Sequence, residues 1–144
     1  REGRSSLDAL WFHRLYRLKH KRFRVGRTTM TAAIGTMPRY LDDLGRMGSL
    51  TGSDIANIAD VSKATVSRWK SGTAKPQPNT QLVLSDLRYI VGRLEEFYSA
   101  DEIRIWLYAR HPQLGGERAI DLINRNQSED VLRVIDRLDA EAYL

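Results

Sequence analysis

The chain has 144 residues, a formal charge of +5, no cysteine and three histidines. Zero cysteines exclude disulfides and thiolate metal sites, and His13, His20 and His111 form no ligand-like cluster, so neither a metal nor a cofactor is expected. No stretch is long and apolar enough to span a membrane and no secretory signal leads the sequence, which reads as one or two small cytoplasmic domains.

The basic excess is local. Residues 1–30 hold nine Lys/Arg against two Asp/Glu, a balance of +7, which leaves −2 for residues 31–144. Net charge is therefore no argument for a nucleic-acid partner; the cluster Lys63, Arg68, Lys70 and Lys75 is. Residues 1–35 read as a basic N-terminal arm in which Leu7, Trp11, Leu15 and Leu18 share one helical face, with Ser5 or Ser6 as cap. Four readings stay open: an arm lying on DNA phosphates, a helix packed on a partner or dimer mate, a functionless extension upstream of Met30, and a membrane-surface helix.

From residue 36 the pattern becomes regular. Pro38 suits a first helical turn, and Tyr40, Leu41, Leu44 and Met47 mark a helix that Gly48 ends and that is expected to pack across Ile55 and Trp69. The stretch from Gly52 to Lys70, GSDIANIADVSKATVSRWK, then predicts two short helices joined by a tight turn. Ile55, Ala56 and Ala59 share a face of the first, Val66 and Trp69 a face of the second, Ala56 permits a close crossing, and Val61 plugs the corner. Ser53 is placed to cap the first helix and Ser62 the second. The outer face of the second helix carries Lys63, Thr65, Ser67, Arg68 and Lys70, side chains that reach phosphates or base edges when such a helix enters a major groove. A helical hairpin with a merely solvated polar face is the alternative.

In register, Val61-Ser62 and Ser67-x-Trp69 resemble the Xre-type helix-turn-helix of phage-repressor-like proteins. The resemblance marks residues 36–78 as a DNA-binding domain, with Ser62, Lys63, Thr65, Ser67, Arg68, Lys70 and Lys75 as its contacts. Asp60 stands where that family usually has glycine, and Asp tolerates a left-handed turn better than most residues. The loop SGTAKPQPNT is either a solvated linker or places Lys75 and the backbone near Gly72 against a DNA strand.

Asn79 or Thr80 is expected to cap a long helix whose Leu82, Leu84, Leu87, Ile90, Val91, Leu94 and Phe97 form a broad apolar stripe. Residues 79–98 read as a connecting helix that joins the two halves and contributes to a dimer interface. In residues 99–144, Ile103, Trp106 and Leu107 mark a helix that Asp101 and Glu102 open and His111-Pro112 breaks. Leu114-Gly115-Gly116 turns the chain, and Ala119, Ile120, Leu122 and Ile123 begin a short helix. Ser128 is expected to cap a last one carrying Val131, Leu132, Val134, Ile135 and Leu138. The expected fold is all-α.

Trp106-Leu107, Pro112-x-Leu114-Gly115-Gly116, Ala119-x-x-Leu122-Ile123, Val131, Leu138 and the terminal aromatic Tyr143 resemble, in that order, the C-terminal toxin-binding domain of the Xre-MbcA-ParS antitoxins. That domain follows an Xre-type helix-turn-helix there too, so the resemblance covers roughly residues 37–144. Arg118 departs from it where the family often has Pro, and Ser128 and Ala140 where it often has Gly. The resemblance implies an antitoxin of a type II toxin-antitoxin system that blocks a RES-domain toxin, a class of enzyme that attacks NAD, and that represses its own operon. It implies further that the tail, Ala142, Tyr143 and Leu144, enters the toxin's active-site cleft. A Tyr ring and a free carboxylate suit a cation-lined, NAD-shaped cleft by stacking and charge pairing. Trp106, Leu114 and Leu122 are then core that holds the tail in place.

An enzyme is not expected. The sequence carries no Ser-His-Asp set, phosphate loop or metal cluster, and His111 before a proline reads as a helix-end residue rather than a base. The competing class is a free-standing dimeric helix-turn-helix repressor whose C-terminal part dimerises or senses a ligand. Both readings predict a homodimer on operator DNA with an inverted repeat.

Overall fold

The apolar spacing of residues 37–142, the part of the chain that the computed structural model describes, is realised as helices joined by short turns. In chain order these are α1 (Met37–Gly48), α2 (Gly52–Ala59), α3 (Lys63–Ser71), α4 (Pro78–Leu94), α5 (Ala100–Tyr108), α6 (Ala119–Asn124) and α7 (Ser128–Glu141). The expected all-α class holds, with one addition. Arg110–His111 (β1) and Glu117–Arg118 (β2) form a two-residue antiparallel ladder around a 3-10 turn at Pro112–Leu114. Gly115 (φ 66°) and Gly116 (φ 81°) make the reversal possible, because both sit in the left-handed region that a Cβ disfavours. The basic arm of residues 1–35 and the tail residues Tyr143 and Leu144 lie outside the described residues.

Three helix starts differ from expectation. The cap of α2 is Thr51, not Ser53: Thr51 Oγ1 accepts from Asp54 N (3.2 Å), and the Asp54 carboxylate accepts from Thr51 N (2.8 Å), a closed capping box. Ser53 falls inside the first turn. Gln77 precedes α4 in place of Asn79 or Thr80, with Pro78 occupying the first helical position, where its missing N–H costs nothing. Gln127 precedes α7, and Ser128 is its buried first residue. At α2 and α4 a good capping residue stands two or three positions inside a stronger start signal, whereas at α7 Gln127 makes no side-chain cap bond. Ser62 and Ser99 cap α3 and α5, the latter in a second capping box with Glu102.

The core is one continuous cluster running through all the helices. The central element is α4, which packs against α1 and α2 on one side and α6 and α7 on the other. Its buried face is Val83, Leu84, Leu87, Ile90, Val91 and Leu94. Leu82 is only half-buried, Val83 taking the inward position, and Phe97 lies beyond the helix end. Helix α1 packs on α3, and Trp69 is buried at 3% exposure. Where α1 ends it comes so near α4 that a methyl on Gly48 would lie 3.3 Å from Val91 Cγ1. None of the described helices is long and apolar enough to cross a membrane.

Candidate functional site

The α2–α3 pair has the geometry its small residues dictate. Asp60, at φ 56° and ψ 51°, turns the chain left-handed directly after α2, so the departure from glycine is accommodated without changing the turn. Val61 is half-buried against the core and its N–H reaches the Ala56 carbonyl (3.0 Å), closing the corner. Ser62 Oγ accepts from Thr65 N (3.1 Å), which leaves α3 starting at Lys63. Gly72, at φ 79°, ends it, and its N–H turns back to carbonyls of the last turn.

Val66 and Trp69 take the inner face of α3, so the opposite face is solvent-exposed. It presents Lys63, Ala64, Ser67, Arg68, Lys70 and Ser71. Ser62, just before the helix, and Lys75, in the loop after it, are exposed too. Two of the expected contacts sit differently from the rest. Thr65 is half-buried on the flank, and its hydroxyl lies in a local chain, 2.9 Å from Ser62 Oγ and 3.1 Å from Arg68 Nη2, which donates to it. Lys70 folds back, its ammonium lying beside Gly52 at the start of α2. Ala64 is not among the expected contacts, yet it is central on the outer face, and a methyl there lets a helix approach a flat surface closely. Small size two positions after the cap is its only sequence signal.

A second polar cluster, formed by residues 50 apart in the chain, joins α2 to the C-terminal helices. Asp54, 2% exposed, accepts from Arg104 Nε (3.1 Å), Arg104 Nη2 (3.0 Å) and the Tyr108 hydroxyl (2.6 Å) in addition to Thr51. Burial pushes the Asp54 carboxyl up, but the donors Arg104, Tyr108 and Thr51 outweigh it and hold the pKa at about 2. A carboxyl depressed from 3.8 contributes stability that is complete above about pH 4 and is lost as pH falls towards 2. Chemical denaturation at a series of pH values is expected to show that loss in the wild type. In Asp54→Asn, stability at neutral pH should be lower and the slope between pH 4 and 2 flatter; equal slopes would contradict it.

The third cluster fixes the end of the chain. Arg93, on the inner face of α4 and fully buried, donates to Asp136 (3.3 Å) and to Asp139 on α7. Helix α7 ends at Glu141, and Ala142, the first of the three expected toxin contacts, is its exposed C-cap. Tyr143 and Leu144 lie beyond the described residues. His111 behaves as a helix-end residue: its Nε2 donates to the Trp106 carbonyl (2.8 Å), and its ring lies 4.4 Å from that of Trp106. Leu114 and Leu122 are buried core and Trp106 is half-buried against it.

Residues 93–143 match the family described as the antitoxin Xre/MbcA/ParS C-terminal toxin-binding domain. Over those residues the chain is similar to the C-terminal domain of the Xre/MbcA/ParS antitoxins. The chain is 28% identical, over 95 residues, to a probable mycobacterial cidal antitoxin of Mycobacterium tuberculosis, an alignment spanning 66% of this chain and 81% of that protein. Its fold is similar to that of one chain of the crystal structure of the M. tuberculosis MbcT-MbcA toxin-antitoxin complex, with a TM-score of 0.63 at 26% identity, covering 73% of this chain and 94% of that one. The matched stretch opens at Arg93 and closes at Tyr143, so the buried arginine and the helix it clasps both fall within the matched domain.

Proposed function

We propose that this chain is an antitoxin that neutralises a RES-domain toxin that attacks NAD by placing Ala142, Tyr143 and Leu144 in the toxin's active-site cleft, and that it represses its own operon through α2 and α3. It acts in the cytoplasm by binding alone and performs no catalysis. The observation that carries the reading is the match of residues 93–143 to a toxin-binding domain, together with the way Arg93 anchors the helix that leads into the tail. A Tyr ring suits a cleft built for a nicotinamide or adenine ring, because it stacks while keeping a polar tip.

The repressor half rests on α3. Its outer face offers Lys63, Ser67 and Arg68 to a groove, flanked by Ser62, Thr65, Lys70 and Lys75. A homodimer reads an inverted repeat with two such helices. Arg68→Ala is expected to weaken operator binding by about 1 to 3 kcal/mol and to relax preference at one base pair, if its guanidinium takes a guanine edge. A uniform loss across all sequences with a smaller salt slope would instead assign Arg68 to phosphate.

The decisive experiment is co-expression with the product of the neighbouring gene, monitoring growth and cellular NAD. A neighbour that arrests growth and depletes NAD alone, and is silenced by this chain, supports the antitoxin reading. A harmless or non-binding neighbour leaves the free-standing dimeric repressor.

A further inference from the structure

Helix α2 has eight residues, too few to hold a helix in water without tertiary support. Besides its apolar packing on α3 and α4, the C-terminal half ties it at both ends. At its start, Asp54 takes two hydrogen bonds from Arg104 and one from Tyr108 while it closes the capping box with Thr51. At its end, Asn124 Nδ2 donates to the Ile58 carbonyl (2.7 Å), one of the last-turn carbonyls that a helix leaves without a partner of its own. Between the two ties the outer edge of the joint is open to solvent. A cleft of about 320 Å³ opens beside the α2–α6 contact, lined by Ile120 and by the polar Asn57, Asp60, Tyr108, Arg118, Asp121 and Asn124. Buried Ile55, Ala56 and Ile58 seat α2 in the core, and these directional polar bonds fix its two ends against α5 and α6.

We propose that Arg104, Tyr108 and Asn124 are positioning residues for DNA reading: they fix the first helix of the pair so that α2 and α3 meet the duplex in one register. The inference rests on the DNA-binding reading of α2 and α3. In a helix-turn-helix the first helix crosses the backbone while the second lies in the groove, so the two must dock together. Lys70 of α3 lies beside Gly52, two residues before Asp54, which makes the start of α2 part of the same surface. None of the three positioning residues lies on α3 or in the loop after it. Their loss lowers affinity without deleting a phosphate contact, so the salt slope, which counts phosphates neutralised, stays constant.

The test uses the full chain and a duplex carrying the DNA upstream of its own gene. Asn124→Ala, Tyr108→Phe and Arg104→Ala are titrated across a salt series, with circular dichroism confirming that each is folded; Asn124→Ala and Tyr108→Phe carry the test should Arg104→Ala fail to fold. Each is expected to bind roughly 10-fold more weakly than wild type with the salt slope unchanged, and Arg137→Ala, an exposed change on α7, to bind as wild type. Wild-type affinity in the folded variants overturns the positioning role and leaves DNA reading intact. A reduced salt slope also overturns it, since the residues would then touch phosphate. A wild type that binds this duplex no better than an unrelated one overturns both the inference and the reading beneath it.

Discussion

Replacing Arg93 with Ala is expected to cost about 3 to 5 kcal/mol of stability, the range for breaking a buried ion pair from one side. The guanidinium is fully buried, and it faces Asp136 and Asp139, of which Asp139 is itself only 10% exposed. Removing the cation strands a carboxylate in the interior, where the charged form is disfavoured. The variant should then take up a proton at neutral pH or release α7. Tyr89 lies against the same cluster, and burial pushes its hydroxyl up, out of the titrating range. Urea unfolding of wild type, Arg93→Ala and Arg93→Met/Asp139→Leu separates the causes. The single variant should lose several kcal/mol and the double variant recover much of it, because a matched apolar pair has no uncompensated charge. A loss under about 1 kcal/mol in Arg93→Ala would show that α7 is held by Val131, Leu132 and Ile135 alone.

How much of this is legible in the sequence depends on the range of each interaction. Helical periodicity reports which face of an element is buried, so the inner faces of α1, α3 and α7 are readable from residues such as Leu44, Trp69 and Val131, all of them buried. Local geometry is readable too: Ser62 caps α3, and Asp60 takes the left-handed turn. The start of α2 differs from expectation although Thr51-x-x-Asp54 is a complete capping signal, because Ser53 offers a weaker one two residues later. Arg93 is hidden within an apolar stripe. A cation three residues after Ile90, on the face that Leu94 also shares, is the available sign that a buried anion awaits it, but nothing local names Asp136 and Asp139 as its partners. The Asp54 tie to Arg104 and Tyr108 joins residues 50 and 54 apart and has no periodic signature. The short ladder of β1 and β2 escapes for a related reason: two residues per strand are too few to show alternation.

Deleting Tyr143 and Leu144 is expected to abolish toxin neutralisation, weakening the toxin complex by at least about 100-fold, or roughly 3 kcal/mol. The same deletion should leave stability and operator binding within experimental error of wild type. The separation comes from where the last described helix ends. The last helical turns are fixed from below by Arg93 through Asp136 and Asp139, and α7 closes at Glu141 with Ala142 as its cap. Tyr143 and Leu144 follow that cap in the sequence and lie far in sequence from α3. Tyrosine is the residue type most able to convert two positions into so large an effect, since one ring fills a pocket at the cost of fixing two torsions. Tyr143→Phe should retain most neutralisation if stacking dominates, and Tyr143→Ala should behave as the deletion. Growth rescue of cells co-expressing the neighbouring gene, with the dissociation constant of the purified pair, measures both. Full rescue by the truncated chain would move the inhibitory contact off the tail, and the exposed ridge of α7 around Arg133, Arg137 and Ala140 would be the surface to test next.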